Sequence, residues 1–241
     1  MNLKNIIDNK IFIGPLSEID SEGSYIINTI NANSYCMAKN DDIFADVLLN
    51  SDVLLPDGSS LVLASWVMRN KKINKIAGID VHKHLIHKAN LKAQKVFYLG
   101  ANTNTLELIK NRLNKEFPYI DVESFSPPFK SFFTMEETNK MLFAINSFKP
   151  DILFVGMTAP KQEKWVYANK KEIDCNITVS IGAVFDFYAG TVKRAPSWMI
   201  NLGMEWLYRL IKEPKRMWKR YLINNTKFLW YIFQEKFVSQ I

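Results

Sequence analysis

The chain has 241 residues, 48% of them hydrophobic and 23% charged, with a formal net charge of +7 at pH 7. That length accommodates one large domain, or a domain with an appendage, around a sizeable core. A composition without Gly/Ser or Gln/Asn tracts excludes a disordered or low-complexity chain. The two cysteines, Cys36 and Cys175, lie far apart with no Cys-x-x-Cys spacing, which argues against a disulfide framework or a structural zinc site.

The first stretch, MNLKNIIDNKIFIG, breaks every apolar run with Lys or Asp, so it is not the apolar core of a secretory signal, and a cytoplasmic chain is expected. No segment approaches the roughly 18 continuous apolar residues of a membrane span, so a membrane is expected to be met only from its surface. SYIINTI (24–30) is a short β-prone run. From Asn33 to Leu49, Tyr35, Ala38, Phe44, Ala45 and Leu48 recur at helical spacing. Asp52 to Leu55 is strand-like, and Ser59 to Met68 predicts a buried helix. KVFYL (95–99) ends at Gly100 and precedes a helix over 104–117. DILFV (151–155) ends at Gly156 and precedes a helix starting near Pro160, and ITVSI (177–181) ends at Gly182. Strand, glycine and helix in this repeating order predict an α/β fold, a mostly parallel sheet covered by helices on both faces. In such sheets ligands sit at the carboxyl ends of the strands, where these glycines fall.

After Arg194 the texture changes. Residues 193–241 hold ten Lys/Arg against Glu205, Glu213 and Glu235, so this tail carries the whole net charge, while residues 1–192 balance 21 basic with 21 acidic side chains. Four of the six tryptophans, Trp198, Trp206, Trp218 and Trp230, lie here among the basic residues. Pro196 is a helix start, and Pro214 should split the run into two helices. The tail reads as amphipathic, basic and aromatic, and Trp favours the boundary between an apolar phase and water. The expected organisation is a core over 1–194 and an appendage over 195–241.

Asp57, in VLLPDGSS (53–60), leaves an apolar run into a glycine and two hydroxyl residues. Two readings are open. It accepts hydrogen bonds from the amides that open the next helix, or, held among apolar neighbours at a strand end, its pKa rises and it takes a proton from a substrate hydroxyl. In GMTAPKQEK (156–164) a strand-end glycine, a proline in the first turn and free helix-start amides make an anion or phosphate site, with Gln162 and Glu163 projecting to meet sugar or nucleoside hydroxyls. Gly100-Ala-Asn-Thr-Asn is a second polar loop, but no full G-x-G-x-x-G is present, so a dinucleotide redox enzyme is poorly supported. His82, His84 and His87 lack a carboxylate or cysteine at ligand spacing and read as a solvated helix face. No Asp-x-Asp follows a strand, so the forked donors of the tail arginines are the candidates to neutralise a diphosphate.

The combination of PDGSS (56–60), AGIDV (77–81), VFYLGA (96–101), SPPF (126–129), DILFVGMTAPKQEKW (151–165), IGAVFDFYAGTVKRAP (181–196) and MEWLYRLIKEPKRMWKRY (204–221) closely resembles the WecG/TagA/CpsF glycosyltransferases over nearly the whole chain. The resemblance implies a GT-E fold, a Rossmann-like core with a C-terminal appendage. It implies inverting transfer of a hexose, often N-acetylmannosamine, from a UDP-sugar to an undecaprenyl-diphosphate-linked sugar, with neither metal nor cofactor. UDP-glucose and UDP-N-acetylmannosaminuronic acid are alternative donors. Asp57 matches the family's proposed base. Thr29 and Asn31 match polar pocket residues, and Gln162 and Asp186 match contacts to the donor's sugar and uracil. Gly100, Gly156 and Glu163 join them as donor-site candidates. Arg194, Arg209, Arg216 and Arg220 are candidates to hold the acceptor and its diphosphate from a tail docked on anionic lipid, which places the enzyme peripherally on the inner face of the cell membrane.

Thr158 departs from the family's second glycine before the Pro-Lys-Gln-Glu run, and Lys219 stands where relatives carry Arg. Two rivals remain at this point. One is a nucleic-acid-binding module using the basic tail, against which the neutral glycine-ended core argues. The other is a UDP-sugar-modifying enzyme such as an epimerase. Oligomeric state is open, because an aromatic tail could also bury itself in a partner subunit.

Overall fold

The computed structural model describes residues 1–19 and 24–238. A short helix α1 (Leu3–Asn9) precedes β1 (Tyr25–Ile30), α2 (Ala32–Ala38), α3 (Asp42–Leu49), β2 (Val53–Pro56), α4 (Ser59–Arg69) and α5 (Gly78–Leu91). The middle of the chain adds β3 (Lys95–Gly100), α6 (Thr103–Glu116), β4 (Asp121–Phe125), α7 (Met135–Phe148), β5 (Ile152–Gly156), α8 (Lys161–Asn169), β6 (Ile177–Ser180) and α9 (Gly182–Ala189). The tail forms α10 (Ser197–Asn201), α11 (Glu205–Lys212), α12 (Pro214–Trp218) and α13 (Asn224–Phe233), the last two joined and extended by wide π-turns over Lys219–Ile223 and Gln234–Val238.

The strands form one sheet in the order β2-β1-β6-β5-β3-β4, and every neighbouring pair is parallel. The α/β expectation holds, with a fully parallel sheet. One face, with Ile27, Leu55, Tyr98, Phe154 and Val179, is covered by α5, α6 and α9. Of the other face, Phe97, Leu99, Leu153 and Val155 lie under α7 and α8, and Ile30 and Leu54 pack with α1 to α4 and α13. Burial on both faces explains why these strands read as continuous apolar runs.

All six carboxyl ends therefore lie on one edge of the sheet. The chain leaves β3 toward β4 on one side and β5 toward β6 on the other, while β3 and β5 are neighbours. This is a topological switch point, the place where a parallel sheet opens a crevice. Gly100 and Gly156 are register partners there.

Several expectations are corrected. The single helix expected over 33–49 is two, because Asp41 caps a new start by accepting from the Phe44 amide at 3.0 Å. The histidines do not form one solvated face. His82 is buried, its Nε2 lies 2.7 Å from the Tyr98 hydroxyl, and its ring packs against Phe154 and Tyr188. Burial pushes its pKa down to about 3, so it is a neutral core residue. Pro214 does break the tail, ending α11 and opening α12 at its first position. Within the tail, Phe228 and Ile232 of α13 belong to the core cluster that also holds residues of α2 and α4.

Among the described residues no helix is long and apolar enough to cross a membrane.

Candidate active site

Asp57 follows β2 directly, its amide donating to the Ile30 carbonyl at 2.8 Å so that the ends of β1 and β2 are locked together. Gly58 then takes φ +113, a conformation that strains any side chain, and turns the chain into α4. Gly58 itself is the N-cap of α4 and no side chain caps that helix, so the carboxylate of Asp57 is not spent on capping. It stays partly accessible at the carboxyl end of β2. Burial in the surrounding protein raises its pKa; the charges of Lys75 and Arg220 oppose the rise, and those of Glu205 and Asp80 reinforce it.

That charge set crosses the chain. The Ile76 amide donates to the Pro56 carbonyl at 2.9 Å, which brings Lys75 to the strand end. From the tail, Glu205 accepts from Lys75 Nζ and from Arg194 Nε, each at 3.3 Å. Burial works against ionisation of Glu205, but Arg194 and Lys75 outweigh it and hold the carboxyl below its usual range. At Gly203, φ +71, an added Cβ would stand 2.9 Å from the Ser59 hydroxyl. The turn between α10 and α11 thus rests on the start of α4, immediately beside Asp57.

The four arginines divide two and two. Arg194 is committed to Glu205, and Arg216, more than half exposed, pairs with Glu213 at 2.9 Å. Arg209 lies 5.5 Å from the Phe187 ring and Arg220 5.6 Å from the Tyr221 ring, and neither forms an ion pair with a described residue. The Nε of each is buried without a hydrogen-bond partner. A buried donor without a partner is costly, and of these two guanidinium groups Arg220 bears electrostatically on Asp57.

At the switch point the glycines have packing reasons. A Cβ on Gly156 would meet the Phe185 ring at 2.5 Å, and one on Gly100, φ +120, would meet the Gly156 carbonyl at 2.4 Å. Gln162 and Glu163 do not project as expected; they are 5% and 3% exposed. Gln162 Oε1 accepts from the Met157 amide at 3.1 Å, and its Nε2 donates to Glu163 Oε1 at 2.9 Å. The side chain that closes the strand-end amide is thereby drawn inward. Glu163 Oε2 has no partner, and burial lifts the carboxyl to about 7. Pro160 stands just outside α8 as its N-cap residue, and Thr158 is exposed, its carbonyl accepting from the Lys161 amide at 3.0 Å.

Thr29 lies in β1 opposite Leu55. Asn31 caps α2 in a reciprocal pair with Ser34, its Cβ 3.7 Å from where a Cβ of Gly58 would be. Asp186 accepts from Thr191 Oγ1 at its carbonyl, at 3.2 Å, closing the turn after α9. The structure therefore gathers Asn31, Asp57, Arg220 and the Lys75–Glu205–Arg194 set at the β1/β2 end of the edge. Gln162, Glu163, Asp186 and Arg209 lie with α8 and α9, which follow β5 and β6. Arg216 remains apart. Lys75 and Glu205 were not candidates from sequence, being 130 residues apart and ordinary in type. Among the described residues no group of three or more His, Cys, Asp or Glu could hold a metal ion.

The fold is an α/β one whose fully parallel sheet carries, at its carboxyl edge, the desolvated carboxylate of Asp57 within electrostatic reach of Lys75 and Arg220. Residues 13–240 match the glycosyl transferase WecG/TagA/CpsF family. A Bacillus subtilis (strain 168) protein called N-acetylglucosaminyldiphosphoundecaprenol N-acetyl-beta-D-mannosaminyltransferase is 34% identical over 204 residues, 85% of this chain and 77% of its own. Proteins of the same name from Bacillus spizizenii and from Staphylococcus aureus (strain MW2) are 30% and 29% identical, over 84% and 82% of this chain and 76% of each of theirs. The chain belongs to the WecG/TagA/CpsF glycosyltransferase family.

Proposed function

We propose that the protein moves N-acetylmannosamine from a UDP-linked donor onto N-acetylglucosamine carried by undecaprenyl diphosphate, with inversion at the anomeric carbon, in bacterial surface polysaccharide or teichoic acid synthesis. The observation that carries this reading is Asp57, a desolvated carboxylate at a strand's carboxyl end that caps no helix and faces Lys75 and Arg220. Relatives named for this transfer supply the sugars.

Asp57 takes the proton of the acceptor hydroxyl as that oxygen attacks the anomeric carbon. The new carbon–oxygen bond forms while the bond to the donor phosphate oxygen breaks, and UDP leaves with the electron pair. Burial makes Asp57 a stronger base than an exposed aspartate. The donor lies in the crevice outside Gly100 and Gly156, with Asp186, Thr29 and Asn31 lining its site and Gln162 holding the loop below it from its buried position. Glu163 acts through Gln162, whose amide it orients. Arg209 and Arg220 hold the diphosphate with charge that a divalent ion could otherwise supply. Arg194 acts through Glu205, and Arg216 meets lipid headgroups.

The protein works at the cytoplasmic membrane face. Its tail attracts an anionic leaflet by about 1 kcal/mol per Lys or Arg near the surface, and Trp198, Trp206, Trp218 and Trp230 are all exposed there. The test is transfer from a panel of UDP-hexoses to a short-chain diphosphoryl N-acetylglucosamine lipid in EDTA. UDP-N-acetylmannosamine is the donor expected to work, and Asp57→Asn is expected to lower turnover about 10²- to 10⁴-fold. Equal turnover in Asp57→Asn would remove the base from the scheme, and preference for another donor would correct the sugar.

A further inference from the structure

The segment joining β4 to α7, residues 126–134, presents large apolar side chains that the site does not use. Phe129 is 102% exposed, Phe132 86% and Met135, just beyond, 81%. Clustered apolar exposure of this kind marks an interaction surface. The segment is also braced. The Ser126 hydroxyl donates to the Ala101 carbonyl at 2.8 Å, and Lys161 Nζ donates to the Lys130 carbonyl at 2.8 Å while lying 4.7 Å from the Phe133 ring. Half-buried Phe133 is the foot of the turn, and Phe129 and Phe132 stand clear of it.

Its place in the fold indicates what it meets. The segment leaves β4 at the carboxyl edge of the sheet, and β4 and β2 are the two outermost strands. At the β2 end the tail rests on Ser59 and ties Glu205 to Lys75. Its exposed Trp198, Leu202 and Trp206 flank that contact in sequence. Five inter-strand steps of about 4.8 Å separate the two ends, roughly 24 Å. Two apolar features therefore flank the mouth of the cleft, one on each side.

We propose that residues 126–134 form a second membrane contact, with Phe129 and Phe132 entering the bilayer that carries the acceptor while the tail docks on the other side of the cleft. This rests on the proposed lipid-linked acceptor. A single attachment leaves the protein free to rotate about it; two attachments across the cleft face its mouth to the surface. The nearby basic residues are largely paired, Lys130 with Glu137 and Lys140 with Glu136. The tail supplies the charge attraction and the turn supplies apolar depth. A partner protein fits less well, because the shallow groove beside β4, lined by Phe125, Asn139 and Phe143, includes neither ring.

The test compares full-length wild type with Phe129→Ser/Phe132→Ser on vesicles of phosphatidylethanolamine and phosphatidylglycerol. The double variant is expected to bind vesicles at least about tenfold more weakly. It should keep its transfer to a short-chain water-soluble acceptor and lose transfer to a long-chain acceptor embedded in the vesicles. An environment-sensitive fluorophore on Phe132→Cys should shift to the blue when vesicles are added. Unchanged vesicle binding, or no spectral shift, overturns the proposal; a Trp198→Ser/Trp206→Ser variant that still binds weakly would then leave the tail's docking standing. Loss of short-chain transfer overturns it by placing the turn in the catalytic site. Unchanged vesicle binding with a halved solution mass assigns the rings to a second copy of the chain. Wild type that transfers sugar to the short-chain acceptor but ignores vesicles overturns both membrane contacts and leaves the transfer chemistry intact.

Discussion

Residues 197–218 and 224–238 carry the same mixture of aromatic and basic side chains, and the fold anchors them differently. Each exposes large apolar side chains, but only the second sends a stripe into the core that holds α1, α2 and α4. The first stretch leaves Trp198, Leu202, Trp206, Ile211 and Trp218 on the surface and sets Glu205 and Gly203 against Lys75 and Ser59, both of which follow Asp57 in the chain. The second sinks Phe228 and Ile232 into the core, where Phe228 meets the edge of Tyr35 at 5.5 Å. It also buries Glu235, which accepts from the Tyr35 hydroxyl at 2.7 Å and from the Leu3 amide at 2.8 Å. Phe228, Ile232 and Glu235 recur at helical spacing, so they form one stripe facing α2 and α1. Composition alone could not separate a helix that docks on protein from one left to solvent; a stripe with a matching buried partner could. The inner half is the tail's anchor in the core.

The largest effect expected from this division is on stability. Phe228→Ala opens a cavity in a fully buried position and should cost about 3–5 kcal/mol, whereas Leu202→Ala, on the exposed half, should change stability by no more than about 0.5 kcal/mol. Denaturant titration measures both, and equal losses would erase the distinction. It follows that deleting residues 195–241 removes part of the core, so truncation is a poor assay of membrane binding. Within the outer half the next contrast is between arginines. Arg220→Ala removes an uncommitted guanidinium that bears on Asp57. It should lower kcat/KM by about 10- to 100-fold, the worth of a charge-assisted hydrogen bond. Arg216→Ala breaks only an exposed pair with Glu213 and should stay within about twofold. Equal effects would mean that the anion sits differently from the place that the unpaired donors mark.

Much of this was legible in the chain. Four of the six strands announce themselves as apolar runs that lead into a glycine or an aspartate, because both faces of the sheet are covered; β1 reads as a β-prone run that ends at Asn31 instead. The sixth, DVESF, is an edge strand with Val122 as its only buried residue, and an edge needs no apolar run. Asp57 was legible as a candidate but not as a base, since Asp-Gly after a strand is also an ordinary cap sequence; only the structure, where no side chain caps α4, separates the two. The direction of its pKa shift follows from its apolar neighbours. His82 was misplaced because the helix period cannot say which histidine meets a tyrosine on a distant strand. Gln162 and Glu163 were expected outside for a related reason. First-turn polar residues usually face water, but here the Met157 amide needed an acceptor and Gln162 supplies it. Lys75 and Glu205 could not be found at all, since their meaning arises only where the tail folds back on β2.

That last contact gives the smallest effect and the most direct test of whether the outer half tunes the base. The Glu205 carboxyl ionises below its usual value, so its ties to Arg194 and Lys75 are intact above the ordinary glutamate range and are lost only as pH falls through the depressed value. At neutral pH its negative charge holds the Asp57 pKa up, against Lys75 and Arg220. Glu205→Gln removes that charge and releases Lys75 to act on Asp57, and both changes lower the Asp57 pKa. Because the base must be ionised to accept a proton, the acid limb of the kcat/KM profile should move to lower pH. Arg220→Ala should move the same limb to higher pH. The stability cost of Glu205→Gln should be about 1 kcal/mol or less, since both its pairs remain partly exposed. Opposite movements of the limb in the two variants would identify Asp57 as the titrating group and place the tail within its electrostatic reach. A limb that stays fixed in both variants would show that some other group titrates. A uniform fall in rate in Glu205→Gln, with the limb fixed there but moved in Arg220→Ala, would leave Glu205 with the task of seating the tail.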